Sequence, residues 1–210
     1  MCELCDNAGK GNRFENGKNE NESCNERANT LNDEVGRILV PREKIAEKVK
    51  ELGKRISNDY KDCELVLVGV LKGAFIFLAD LMRELEINAD MDLISVSSYA
   101  DGTESTGIVR IIKDVDINIQ GKHVLIVEDI VDTGLTLKHL KELFSTRGPK
   151  SVKICAIFDK PSRRKVNITI DYKGIEIPNE FVIGYGLDYQ GRYRNLPDLC
   201  VLKPEIYTKK

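Results

Sequence analysis

"HVLIVEDIVDTGLTLKHL", residues 123–140, opens as an apolar run and ends its first half in two adjacent carboxylates, Glu128 and Asp129. Ile130 and Val131 follow, then Asp132, Thr133 and Gly134, after which Leu137, Leu140, Leu143 and Phe144 recur at helical spacing. A continuous apolar run is the pattern of a strand buried on both faces, as in a parallel sheet. In an open parallel sheet ligands bind at the carboxyl ends of the strands, so acids at that end point into a site and not into a core. Backbone amides in a tight Thr-Gly turn at a helix N-terminus make a nest for a phosphate. Carboxylates beside such a nest suggest sugar hydroxyls, Mg2+, or both, since that ion takes oxygen ligands. The pattern describes a site for a phosphorylated sugar. A helix cap alone would need one acid, not two acids followed by Asp-Thr-Gly.

The flanking sequence extends the same pattern. "ELVLVGVL" (64–71) is a second fully apolar strand, followed by the helical "AFIFLADLMREL" (74–85) and a strand over "DMDLISVSSY" (90–99). "ADGTESTG" (100–107) is small and polar and predicts a mobile loop, after which "IVRIIKDV" (108–115) resumes the sheet. "GKHVLIVEDI" (121–130) supplies the central strand, Gly148 and Pro149 close the next helix, and "SVKICAIFD" (151–159) is another buried strand. Before all of these, Pro41 starts a helix whose apolar stripe is Ile45, Val49, Leu52 and Ile56. Alternating buried strands and helices predict an α/β fold with a mainly parallel central sheet flanked by helices. The last fifty residues are less periodic, with short strands around "ITIDYKGIEI" and "FVIGYGLDY", and predict a small added lobe.

Composition sets the outer limits. With 210 residues, 41% hydrophobic and 31% charged, the chain suits one globular domain, expected over residues 34–210. Residues 1–33 are dense in Asn, Glu, Lys and Gly and nearly free of aliphatics, so a disordered polar tail is expected there. Thirty-two basic against 34 acidic residues argue against broad nucleic-acid binding. No apolar run reaches the roughly 20 residues of a membrane span, and no signal-peptide core is evident, so no membrane association and a cytoplasmic location are expected. Cys2 and Cys5 form a C-x-x-C with Cys24 as a possible third ligand, but the only histidines, His123 and His139, lie far downstream. A structural zinc site wants four ligands, so the motif is weak.

"VLIVEDIVDTGLTL" resembles the signature of the type I phosphoribosyltransferases. "GVLKGAFIFLADL", "SSYADGTESTGIVRI", "DKPSRR" and "GIEIPNEFVIGYGLDYQGRYRNLPDL" are similar, in the same order, to the bacterial hypoxanthine-guanine branch of that family. The resemblance covers about residues 33–207. It implies transfer of phosphoribose from phosphoribosyl pyrophosphate to N9 of hypoxanthine or guanine, with Mg2+, giving IMP or GMP and pyrophosphate. It implies that Glu128 and Asp129 hold the ribose hydroxyls and help place Mg2+, and that Asp132 handles the purine N7 proton as general base or acid. Thr133, Gly134, Leu135 and Thr136 match the 5′-phosphate loop, Leu135 being the one whose side chain suits packing. Lys72 and Gly73 match a pyrophosphate loop whose Leu-Lys peptide can be cis, and Arg194 a second pyrophosphate contact. Ser98 and Tyr99 match the start of a water-excluding lid. Lys160 matches the donor to purine O6, Phe181 a stacking ring, Val182 a backbone reader of the base edge, and Asp188, near the base, a ligand of a second Mg2+. The family also implies a small lobe of C-terminal and N-terminal segments that hoods the base site, and a homodimer or homotetramer. Two alternatives stay open at this point: a regulatory nucleic-acid-binding protein on the same fold, and a transferase for another base such as xanthine or a pyrimidine.

Overall fold

The computed structural model describes residues 34–101 and 104–208, and for residues 98–101 and 104–109 the backbone alone. The tail expected over residues 1–33, with its C-x-x-C, lies outside the described residues. The described chain divides into two compact units. In the smaller, residues 34–36 and 203–208, the Lys203 amide donates to the Glu34 carbonyl (3.2 Å), and Pro204–Tyr207 forms a single helical turn.

Residues 37–202 hold the rest. The strands are β1 (Val35–Val40), β2 (Leu65–Leu71), β3 (Asp90–Asp101), β4 (Glu104–Lys113), β5 (His123–Val131), β6 (Ser151–Asp159), β7 (Tyr172–Glu176), β8 (Val182–Ile183) and β9 (Leu199–Leu202). The principal helices are α1 (Arg42–Asp59), α2 (Phe75–Arg83) and α3 (Leu135–Ser145). Six strands form one sheet in the order β4-β3-β2-β5-β6-β7, parallel except for β4, which runs antiparallel to β3. A mainly parallel sheet with β5 at its centre is therefore the architecture that the apolar run at 123–131 announces.

Burial on both faces explains why β2 and β5 lack alternation. Leu65, Leu67, Leu125 and Val127 face a core built with Ile45, Val49, Leu52 and Ile56 of α1 and Phe77, Leu78 and Leu81 of α2. Val66, Val68, Val124 and Ile126 face the opposite core, with Leu137, Leu140 and Phe144 of α3. Each successive side chain points to the other face, so each face needs its own apolar residue.

One expectation changes. The polar stretch at 100–107 is not an open loop through most of its length: Ala100 pairs with Ser105 and Asp101 with Glu104 in the β3–β4 ladder, with an irregularity between Ser98 and Ala100. Small polar side chains look like a turn, but here the backbone finds its partners in the returning strand. The C-terminal segment contributes to a small lobe that takes a strand from the N-terminal side as well. β7 extends the main sheet beside β6, whereas β8 and β9 join β1 in a three-stranded sheet of order β1-β9-β8. No helix among the described residues is long and apolar enough to cross a membrane.

Candidate active site

The parallel register brings the carboxyl ends of β2, β5 and β6 side by side. Chain reversal at those ends then gathers residues that are far apart in sequence. Glu128 and Asp129 stand near the end of β5, Asp129 only 7% exposed, and the Asp129 carboxylate accepts the Ile130 amide at 2.7 Å. Burial raises the pKa of Glu128 well above its ordinary range, and the neighbouring Asp129 charge adds to the effect. Burial raises Asp129 as well, against hydrogen bonds from Glu128 and the Ile130 amide. Two adjacent acids thus sit where ionising both is costly, and such a pair calls for a cation or hydroxyl donors.

Beyond β5 the chain turns through Gly134 (φ 81°) into α3, which starts without a side-chain cap. The Leu135 amide donates to Thr133 Oγ1 at 3.4 Å. Glu128, Ile130, Val131, Asp132, Thr133, Gly134, Thr136 and Leu137, with Val70, line a cavity of about 210 Å3. Leu135, grouped with the loop from sequence, is half-buried and is not among the lining residues of that cavity, consistent with a packing side chain. The Asp132 carboxylate takes a hydrogen bond from Arg163 Nε at 3.0 Å. Nothing in the spacing of "DKPSRR" singles out Arg163; only the fold brings it to Asp132.

At the end of β2 the Leu71–Lys72 peptide is cis. Lys72 is exposed, and Gly73 packs directly on Asp129: a Cβ built on Gly73 would lie 1.6 Å from Asp129 Oδ2. A Cβ on Gly186 (φ 98°) would lie 2.2 Å from the Gly73 carbonyl oxygen. Arg194 Nη1 donates to the Gly186 carbonyl (2.6 Å) and its Nη2 pairs with Asp188 Oδ1 (2.7 Å). Arg194 also acts electrostatically on Asp129. Asp188 additionally accepts the Gly191 amide at 2.7 Å. Among the described residues no three acids, histidines or cysteines gather into a metal-binding cluster, so Asp188 stands apart from the Glu128–Asp129 pair in this state.

Lys160 follows β6, is 9% exposed, and donates from Nζ to the Glu180 carbonyl at 2.6 Å. Burial lowers its pKa while the charge of Asp132 opposes the shift, which puts that carboxylate within electrostatic reach. Phe181 is half-exposed and meets Tyr189 edge-on, with centroids 5.6 Å apart. Val182 is buried in β8, paired with Val201. Ser98 and Tyr99 lie on β3, but their side chains are outside the described residues.

Residues 38–190 match the phosphoribosyl transferase domain model. The chain is similar to hypoxanthine-guanine phosphoribosyltransferase of Bacillus subtilis, 49% identical over 177 residues that span 84% of this chain and 98% of the relative. A Streptococcus pyogenes protein of the same name is 46% identical, over 85% of this chain and 99% of the relative. Among solved structures, a hypoxanthine phosphoribosyltransferase from Staphylococcus aureus superposes with a TM-score of 0.83 at 46% identity, covering 86% of this chain and 98% of that one.

Two outcomes follow from the geometry. Gly73→Ala is expected to fold but to displace either its loop or Asp129, since the contact at 1.6 Å is impossible. A misplacement of that size costs on the order of 10²-fold in kcat/KM, and steady-state kinetics showing a parent-like alanine variant would dissociate the Gly73–Asp129 contact from the chemistry.

The second outcome concerns pH. A carboxyl whose pKa rises on folding keeps a proton that the unfolded chain has already lost. Stability therefore falls as pH climbs from the ordinary value of 4.5 through the raised one. Glu128→Gln removes that loss, so in metal-free, ligand-free protein it should melt above the parent at about pH 8, with the gap closing toward about pH 4. Melting curves whose pH dependence is the same for both proteins would show that the Glu128 carboxyl carries no such cost.

Proposed function

Because the chain belongs to the phosphoribosyltransferase family, we propose that it transfers 5-phosphoribosyl from phosphoribosyl pyrophosphate to N9 of hypoxanthine or guanine, releasing pyrophosphate and IMP or GMP. What supports this reading most is the meeting, at the ends of three adjacent strands, of an acid pair, a phosphate-sized nest and a buried lysine.

The residues divide the work. The amides and hydroxyls of Thr133, Gly134 and Thr136 hold the 5′-phosphate, glycine letting the backbone approach closely. Glu128 and Asp129 hold the two ribose hydroxyls and so fix the sugar ring over the loop. Lys72, the Gly73 turn and Arg194 neutralise the departing pyrophosphate; Arg194 exchanges Gly186 and Asp188 for phosphate oxygens as it does so. Asp132 takes or returns the N7 proton. Lys160 donates to O6 of the base, Phe181 stacks on the ring, and the backbone at Val182 reads the lactam edge. Ser98 and Tyr99 belong to a lid that keeps water from the electron-poor ribosyl carbon.

Glu128 and Asp129 would hold one Mg2+ and Asp188 a second, a fit to hard oxygen donors in which burial raises the pKa of the first two acids. When bound, the ions neutralise charge on the diphosphate. The enzyme works as a cytoplasmic homodimer or homotetramer in this reading.

The decisive assay offers phosphoribosyl pyrophosphate, Mg2+ and each nucleobase in turn and identifies the products. Hypoxanthine and guanine are expected to be used efficiently. Adenine presents an amino group to the Lys160 ammonium, leaving a buried donor unpaired, a mismatch that such sites reject by roughly 10⁴-fold. Adenine turning over within about tenfold of hypoxanthine would overturn the role of Lys160 and the substrate class together. Asp132→Asn is expected to fold and lose roughly 10²-fold in turnover; turnover within a few-fold of the parent would leave Asp132 as a loop-ordering residue.

A further inference from the structure

The phosphate nest at residues 132–134 is only as good as the orientation of its peptide planes, and one short segment sets all of them. The Lys160 amide donates to the Val131 carbonyl (3.0 Å), Arg164 Nη1 to the Asp132 carbonyl (2.8 Å), and the Lys165 amide to the Thr133 carbonyl (3.0 Å). Three successive carbonyls are thus drawn toward residues 160–165. In a trans peptide the C=O and the following N–H point in opposite directions. Tying back the carbonyls of 131, 132 and 133 therefore turns the amides of Asp132, Thr133 and Gly134 away from that segment, and all three residues line the cavity.

Two of the ties are main-chain amides, which nearly any residue supplies. The middle one needs a side chain of a given reach, and that side chain is itself fixed at three points. The Arg164 fork gives its other nitrogen, Nη2, to Asp159 Oδ1. Asp159 is 4% exposed, and it stands in register with Val131 where β6 runs beside β5, so its carboxylate sits next to the start of the loop. The Arg164 stem packs on the turn: a Cβ on Gly134 would lie 3.2 Å from Arg164 Cδ. Lys173 Nζ, 3.9 Å from Asp159 Oδ2, is half-exposed and too distant to take the place of the guanidinium.

A buried carboxylate needs a partner that stays charged and fills its lone pairs, which arginine does with planar geometry. We propose that Arg164, anchored on Asp159, is a positioning residue that orients the amides of the 5′-phosphate loop without touching substrate. The proposal rests on the phosphoribosyl-transfer reading for its assay but not for its geometry. It requires the guanidinium fork, because the Asp132 carbonyl and the Asp159 carboxylate are met by two different nitrogens held in one plane, which the single ammonium of a lysine does not reproduce.

The test compares ligands that differ only in the phosphate. Binding of IMP and of inosine is measured for the parent, Arg164→Lys and Asp159→Asn, together with KM and kcat for phosphoribosyl pyrophosphate. Arg164→Lys is expected to weaken IMP at least about tenfold while inosine stays within about twofold, and to raise KM by a similar factor with kcat nearly retained. Asp159→Asn, which keeps size and an acceptor but loses the charge, is expected to show the same phosphate-selective loss at about threefold, and it carries the test if the Arg164 variant fails to fold. Equal weakening of IMP and inosine would mean a general packing role and overturn the proposal, as would unchanged IMP affinity in a folded variant. Orthophosphate separates the two readings. A parent that binds orthophosphate but not IMP refutes the base and sugar assignment, while loss of orthophosphate binding in Arg164→Lys still upholds the role of Arg164.

Discussion

The carboxylate of Asp129 lies where any side chain on Gly73 would have to begin. That contact exists because β2 and β5 are neighbours in a parallel sheet, so their ends arrive together. Gly186 then closes on the Gly73 carbonyl from the other side, and Arg194 holds the Gly186 carbonyl in turn. Three segments distant in the chain meet backbone to backbone or backbone to carboxylate, with no side chain between them. Their tolerance is correspondingly small. A side chain at either glycine would push the acid pair, the turn after β2 and the C-terminal segment apart, and on the proposed reading these parts act on one sugar diphosphate.

The acid pair shows how such a site is held against stability. Glu128 and Asp129 are raised in pKa by burial, so the empty enzyme carries them at a cost that cations and hydroxyl donors relieve. The sheet can bear that cost because the four strand positions before Glu128, Val124 through Val127, are apolar and fully buried. Stability resides in the strand and chemistry in its last residues, which is why the change from apolar to acidic at residue 128 is so abrupt.

That same abruptness made β5 readable from sequence. A strand buried on both faces leaves an uninterrupted apolar run, and acids at its end have only the site to face; β2 and β6 are legible for the same reason, and with them the placement of Lys72 and Lys160. β1 and β9 were not readable, because they are short and pair across more than 150 positions of sequence, and β1 is largely exposed. The β3–β4 pairing of residues 100–101 with 104–105 was misread because small polar residues look alike whether their backbones pair with water or with another strand. Arg163 and Arg164 were missed for a different reason. Charged residues after a proline resemble a solvated turn, and only the β5–β6 register, with Val131 beside Asp159, brings them to Asp132 and the turn that follows β5. Asp188, Phe181 and Val182 came from resemblance alone, since nothing in their spacing distinguishes them from packing or surface residues.

On the proposed reading, base selection follows from how Lys160 is held. Its ammonium has three donors, and one already goes to the Glu180 carbonyl, which fastens the residues preceding Phe181 and Val182 to the group that faces the base on the proposed reading. Burial works against the ammonium, and the charge of Asp132 works for it. A group retained in charged form against burial gains most from an acceptor and loses most when a donor is put in its place. A carbonyl on the incoming ring completes the lysine; an amino group leaves it costly and unpaired. Discrimination on this arrangement comes less from the shape of the pocket than from the refusal of one buried cation to go without a partner, and the Glu180 contact makes the pocket wall share in that refusal.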